Sequence, residues 1–545
     1  MLLTLLLAAA GPSAVQESPP LLPPRERPLT AAEASGFRRS SRLDEVLAFV
    51  EELGALPHGD RLSARTIGRS SEGRPIVAVT ASLPGGPPGR ANVVVNANIH
   101  GGEIEGKVAC QLLLRSIALG GHLDVLERLD VTFVPVYNVD GNDAISRRER
   151  VTQNGPDGGV GRRSNGMGLD LNRDFVKCEA PETRALLGLV NRLDPIAFLD
   201  LHTTNGSAHG YDLTYAPSLS PNAKPDVLAA TKALLGRVRG TLEERDGVFT
   251  FDYGNFRYAP RERGSRGRRG DPIAWETYDA RSRFGTNLMG VRGIVSILSE
   301  AYSYLPYERR IEVTHAFTLE CLRELARERD ALVELVRTGA AEAAFGVDLQ
   351  LGPVERLPVR VGEIESVLVD LDPVEEGVQE GRRRLASPRA EARLVEMDVA
   401  RGFRALGVEP IGEAWVLRSP TDEQLELLEL HLGAAPRRLR EAARVPVAAF
   451  LVDEVTRAER PFQGHRVVSV TGAFQRIELD LPAGAAIVPS SILAAQLLHP
   501  LSDDSFTTWN LFDEELGVEA EGRPGYRPIH PCLRVDELPE AWGAR

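Results

Sequence analysis

An apolar run that stops abruptly at a polar break constrains a fold strongly, and Val93 to Glu103 (VVVNANIHGGE) is such a run. Aliphatic and small residues before His-Gly-Gly-Glu predict a buried strand that ends at a site, with His100 and Glu103 just past its carboxyl end. Open α/β sheets keep their chemistry at that end. The pattern recurs along the chain. Phe198 to His202 (FLDLH) stops at a histidine followed by TTNG, and Val291 to Glu300 (VRGIVSILSE) stops at a carboxylate. Val131 to Val136 runs into the polar cluster Tyr137 to Asn142 (YNVDGN). Between these runs, Glu103 to Leu119 and Arg184 to Leu193 have helical spacing. Strand, helix, strand in this order predicts an α/β sheet with helices on its faces.

Upstream, Ser41 to Leu53 predicts an amphipathic helix with Leu43, Val46, Leu47, Val50 and Leu53 on one face. Pro75 to Ser82 is a further strand. Glu312 to Ala344 reads as one long helical stretch that closes a first domain over residues 40–344. Beyond Gly346 the character changes. Leu349 to Val369 and Val445 to Val488 read as short strands, with helical Ser419 to Leu432 and Arg437 to Arg444 between them, so residues 346–545 are expected to form a β-rich accessory domain. A length of 545 residues fits two or three domains.

The amino terminus, MLLTLLLAAAGPSA, is too short to span a bilayer and fits the apolar core of a secretory signal cut after Ala14, with a Pro-rich linker over 15–39. Export is therefore expected. The formal net charge of -13 argues against a nucleic-acid partner, which needs a basic face. The one basic stretch, Arg257 to Arg269, reads as a solvated loop. Four scattered cysteines form no C-x-x-C pair; export would permit disulfides without demanding them.

His100, Glu103 and His202 make a plausible zinc set, two near-neighbours and one distant ligand from another strand end, with one vertex left open. Zinc lowers the pKa of a bound water and polarises a carbonyl, so the expected reaction is amide hydrolysis. His209, seven residues beyond His202, is the rival ligand. Glu300 sits in an apolar neighbourhood that would raise its pKa into the range of a general base. Asp170, Asn172 and Arg173 lie in one short run. Arginine suits bidentate grip of a carboxylate, and Asp170 could hold the second ring nitrogen of a ligand histidine. A serine hydrolase is poorly supported, because GRSSEG (Gly68 to Gly73) misses the G-x-S-x-G spacing, and no P-loop pattern occurs.

Five motifs in order, HGGE (His100 to Glu103), NVDG (Asn138 to Gly141), GRRSNGMGLDLNRDF (Gly161 to Phe175), LDLH (Leu199 to His202) and ILSEAY (Ile297 to Tyr302), resemble the zinc carboxypeptidase family of metallopeptidases over roughly residues 40 to 340. The resemblance implies a mixed eight-stranded sheet flanked by helices and one Zn2+ per chain on His100, Glu103 and His202. It implies Glu300 as general base and acid, and Arg163 as the oxyanion arginine, with Arg162 beside it and Arg150 upstream as competitors. Asn172 and Arg173 would bind the substrate's terminal carboxylate and Asp170 would hydrogen-bond His100. Tyr278 would be the tyrosine over the pocket, with Tyr253 and Tyr258 competing. The C-terminal LLHPLSDDSFTTWNLFDEEL resembles a tail of a bacterial subgroup, and its Asp503, Asp504, Trp509, Phe512 and Asp513 read as a packed structural motif. The implied substrate is a peptide with a free C-terminal carboxylate. The alternatives are an amidohydrolase of cell-wall peptides or N-acyl amino acids using the same zinc, or a degenerate binding protein. The sequence leaves the oligomeric state open.

Overall fold

Four parallel strands form the middle of the central sheet, in the spatial order Leu129–Val134, Ala91–Ala97, Ala197–Thr203, Val295–Ala301. Leu62–Arg69 and Pro75–Ala81 extend one edge antiparallel, and Leu213–Pro217 and Thr250–Asp252 complete the other. The result is the mixed eight-stranded sheet that the motifs imply. This computed structural model describes residues 27–259, 270–338, 344–371, 381–512, 527–539 and 542. The expected signal segment, most of the basic stretch and Asp513 lie outside the described residues.

Side chains alternate across a strand, so each buried strand feeds two cores. Val93, Val95 and Ala97 face a core completed by Leu113, Leu114, Phe317 and Leu322 from the helices Glu105–Ala118 and Tyr307–Arg327. Val94 and Phe198 face the other core, whose outer wall includes Trp415, Leu427, Leu497 and Trp509 from the second half of the chain. That second half is β-rich, with sheets of its own. Its six-stranded sheet runs Arg437–Arg438, Ala486–Pro489, Ala414–Leu417, Ile529–Val535, Ala443–Arg457, Val468–Leu481. A four-stranded sheet joins the halves, because Pro272–Glu276 and Asn255–Tyr258 continue the hairpin of Val354–Leu371 and Gly381–Ala400.

Several local expectations change. Arg437 to Arg444 is not helical; Arg437 and Arg438 pair with Ile487 and Ala486, and Ala443 opens a strand. So short a segment has little helical stability of its own against an available sheet edge. The strands of the second half are long rather than short, 14 to 20 residues in its two principal hairpins. Val291 ends the helix Gly285–Val291, and Gly293 at φ 80° breaks the run before the strand begins at Val295. The long helical stretch is two helices, Tyr307–Arg327 and Arg329–Thr338. The described end of the Pro-rich segment is not a free linker. Thr30 and Glu33 form a capping box on Ala31–Ala34, and Glu33 accepts two hydrogen bonds from Arg115 at 2.7 and 2.8 Å. All four cysteines are buried and none forms a disulfide. Among the described residues no helix is long and apolar enough to cross a membrane.

Candidate metal centre

Past the strand Ala91–Ala97 the chain must turn sharply to present two ligands. Asn98 takes a left-handed φ of 62°, and its Nδ2 donates to the carbonyls of His100, Gly101 and Glu103 at 3.3, 3.2 and 2.9 Å. A Cβ on Gly101 would meet the Gly141 backbone at 2.3 Å, so only glycine lets the HGGE and NVDG turns touch. Asn138 ties that contact down, donating from Nδ2 to Ile99 and Arg163 carbonyls, both at 3.1 Å.

His100, Glu103 and His202 come together, with one ligand atom from each within 4.8 Å of the others, all buried. Nδ1 of His100 lies 2.9 Å from Glu103 Oε1, and Nδ1 of His202 lies 2.9 Å from Oε2. The far ring nitrogens face carboxylates: His100 Nε2 is 3.1 Å from Asp170 Oδ1, and His202 Nε2 is 3.0 Å from Asp200 Oδ2. A neutral His100 that donates from Nε2 to Asp170 would turn the lone pair of its Nδ1 toward Glu103. That buried atom has no hydrogen-bond partner although a carboxylate oxygen is at contact distance. Two acceptors pressed together in a dry site call for positive charge between them, and nitrogen and carboxylate donors suit zinc. The residues fit the metal.

The surrounding charges follow the same logic. Burial alone would raise the Glu103 pKa, but the His100 and Arg150 charges outweigh it and hold the carboxyl well below its usual range. Burial would lower that of His202, and the Asp200 and Glu103 carboxylates reverse this. Asp170 is likewise held far down, against its burial, by the His100 bond and charge and by Arg163 and Arg173. Glu300 behaves oppositely. Burial, with the Glu103 charge added, pushes it up to about 8 against the pull of His202, Arg150 and Arg163.

Of the three competing arginines, Arg162 turns away to the Asn165 carbonyl at 3.3 Å. Arg163 grips Asp170 Oδ2 through Nε and Nη2 at 3.0 and 2.9 Å and stands 3.9 Å from Glu103. Arg150 also reaches the site, donating to Glu103 Oε1 at 2.9 Å and to the carbonyls of Thr203 and Thr204, both at 3.1 Å. The LDLNRDF segment is a 3-10 turn, Leu171–Arg173, capped by Asp170. Asn172 Oδ1 accepts from Gly285 N at 2.9 Å, and the Arg173 guanidinium lies 4.1 Å over the Phe284 ring. Arg173 meets Asp170 only at 3.9 Å. Tyr278 packs between Tyr253 (5.6 Å between ring centroids) and Phe284 (5.1 Å). Burial, then the Glu300 charge, raises the hydroxyl pKa of both Tyr253 and Tyr278. Tyr258 packs instead with Phe256 and Trp275 in a separate cluster. His209, the rival ligand, is outside the group. Its ring lies 4.1 Å from that of Tyr302, and burial takes its pKa down to about 3.

Asp200 was not singled out from the sequence, nor was Gln463, whose Oε1 accepts from Asp170 N at 2.9 Å. Asp200 had a local signal, since residues two apart on a strand share a face. Gln463 had none.

A buried His-Glu-His group at the carboxyl ends of parallel strands, with a carboxylate and guanidinium groups around it, is the site of a metal-dependent hydrolase. Residues 47–259, less than half of the chain, match the family model described as zinc carboxypeptidase, and with it the class of zinc metallopeptidases. The match ends before Glu300. Among solved structures, the chain is similar to a metallo-carboxypeptidase from Burkholderia cenocepacia at 18% identity, covering 54% of this chain and 70% of that one with a TM-score of 0.39. A metallo-carboxypeptidase from Pseudomonas aeruginosa, in complex with (2-guanidinoethylmercapto)succinic acid, is similar at 19% identity, with coverage of 54% and 70% and a TM-score of 0.38. None of the curated proteins matches the chain.

Proposed function

We propose that the protein is a metallocarboxypeptidase that removes the C-terminal residue of peptides. The observation that carries this reading is the shared use of Asp170. One carboxylate holds a metal-ligand histidine on one oxygen and Arg163 on the other, at the cap of the turn that presents Asn172 and Arg173. Metal centre and cationic clamp are therefore one rigid unit, as cleavage at a fixed distance from a terminal carboxylate requires.

His100, Glu103 and His202 would hold one zinc, which when bound supplies Lewis acidity to a carbonyl and a more acidic water. Arg173, short of a close carboxylate partner, binds the substrate's terminal carboxylate with Asn172 beside it. Glu300 takes the proton of the attacking water and returns it to the leaving amine; its raised pKa suits both tasks. Arg163 faces negative charge as it develops at the scissile carbonyl. The apolar amino terminus supports export as part of the same reading. Acyl-dipeptides with free and with amidated C termini test the proposal. Hydrolysis of the free form with little of the amide is expected, and equal rates would overturn the clamp.

A further inference from the structure

The second half of the chain reaches into the site through the tip of one hairpin. Ala443–Arg457 and Val468–Leu481 pair along their length, and the turn beyond them brings Phe462 opposite His465. Gln463 sits at the tip with a left-handed φ of 50°, and its side chain reaches the catalytic half. There its Oε1 accepts the hydrogen bond from Asp170 N at 2.9 Å, across 293 residues of sequence. Two contacts hold the tip in place. His465 Nε2 meets Glu179 Oε1 at 2.5 Å, and the Phe462 ring stacks on Trp509 at 6.1 Å.

We propose that Gln463 is a positioning residue for the metal centre, which makes the C-terminal half a working part of the active site rather than an appendage. Asp170 has three duties at once: its Oδ1 receives His100 Nε2 and Asn172 N, and its Oδ2 receives Arg163. A short carboxylate can meet all three only if the backbone that carries it is fixed. Its own N–H, which the 3-10 turn does not use, is the point at which the C-terminal half fixes it. Through Asp170 the Gln463 oxygen sets the ring orientation of His100 and the place of Arg163. Outer partners of metal ligands act on metal affinity in this way, and Gln463 stands one step further out.

The inference rests on the zinc peptidase reading, and its test separates the two. Zinc affinity is measured for the full-length protein by competition with a chromophoric chelator, with zinc alone as the probe. Gln463→Ala is expected to weaken zinc binding about fivefold, the worth of one ordinary hydrogen bond, while the melting temperature of the zinc-free protein stays that of the wild type. Gln463→Glu keeps the acceptor oxygen and is expected to restore the affinity. Unchanged affinity in Gln463→Ala, equal loss in both variants, or a fall in zinc-free melting temperature that parallels the affinity loss overturns the proposal. Acyl-dipeptide hydrolysis is followed alongside. A wild type that binds zinc but cleaves no peptide would sink the peptidase reading, while the affinity series still decides the role of Gln463.

Discussion

Glu300 lies directly across the parallel ladder from His202, in register through Val295–Ala301 and Ala197–Thr203. The carboxylate and the ligand are thus fixed by backbone hydrogen bonds rather than by loops, and their separation is a property of the sheet. Glu300→Gln keeps shape and burial but removes the proton acceptor. It is expected to retain stoichiometric zinc and lose roughly 10²- to 10⁴-fold in kcat on acyl-dipeptides. Metal analysis with steady-state kinetics checks this; full activity with zinc retained would remove Glu300 from the mechanism.

Asp200 and Asp170 hold equivalent nitrogens of the two ligand histidines, but only Asp170 also holds Arg163. Their Asn variants should therefore differ. Asp200→Asn is expected to weaken zinc about 10- to 100-fold with kcat at saturating metal little changed. Asp170→Asn should weaken zinc by a similar factor and also lower kcat, because Arg163 loses its partner. Chelator competition beside kinetics at saturating zinc separates them, and identical behaviour would mean that Arg163 has no part in the chemistry.

Arg173 is stacked on Phe284, donates from Nη1 to the Asn172 carbonyl at 2.8 Å and meets Asp170 only at 3.9 Å, which leaves the rest of its planar fork available. Arg173→Lys keeps the charge and loses both the fork and the stacking. KM for free-carboxylate substrates should rise about tenfold or more in Arg173→Lys and further in Arg173→Ala, with the smaller change in kcat. Zinc binding should be untouched. A lysine variant with wild-type KM would show that simple charge, not bidentate geometry, is what the site uses.

The metal centre was legible because its parts are local: a strand that stops at a site leaves a mark in hydropathy, and His100, Glu103, His202 and Glu300 each stand at such a stop. The distant supports left none. Gln463 reaches Asp170, and Asp504 reaches Arg283, only after a hairpin and a loop of the second half have docked. No spacing rule encodes a contact across hundreds of residues. Arg437 to Arg444 misled for a related reason, since a helix-like composition yields to whichever sheet edge the tertiary fold offers. Asp200 is the instructive middle case. It stands inside LDLH, two residues before His202, and strand geometry alone places both on one face.

The pair between Arg283 and Asp504 predicts a stability effect. Both are buried, with Nη2 to Oδ1 at 2.9 Å and the Arg283 backbone N–H also donated to Asp504. Asp504→Asn leaves a buried guanidinium unpaired and is expected to cost about 3 to 5 kcal/mol. Replacing both, as Arg283→Met with Asp504→Leu, should cost much less. Denaturant unfolding of the single and double variants tests this; equal losses would mean that packing around the site, not the charge, is what matters.

Three buried histidines of the second half set how the protein meets acid. Burial, the leading cause in each, takes His431 down to about 4 and His499 and His530 down to about 3. Geometry agrees for two of them. Nδ1 of His499 accepts from Leu501 N and Nδ1 of His530 from Cys532 N, both at 3.1 Å, and a protonated nitrogen could do neither. An unfolded histidine takes its proton near pH 6.5. As pH falls below that value the unfolded chain gains protons that the folded one refuses. The stabilisation is therefore complete above about 6.5 and is lost progressively down to the folded values. Each such group contributes a slope of up to about 1.4 kcal/mol per pH unit, so the three together reach about 4. Urea unfolding between pH 7 and 5 should show stability falling with acid, and His499→Gln, which cannot titrate, should flatten the slope by up to about 1.4 kcal/mol per pH unit, the full amount being reached toward pH 5. A slope unchanged by that substitution would show that His499 is charged in the folded protein and that its aromatic surroundings tolerate the charge.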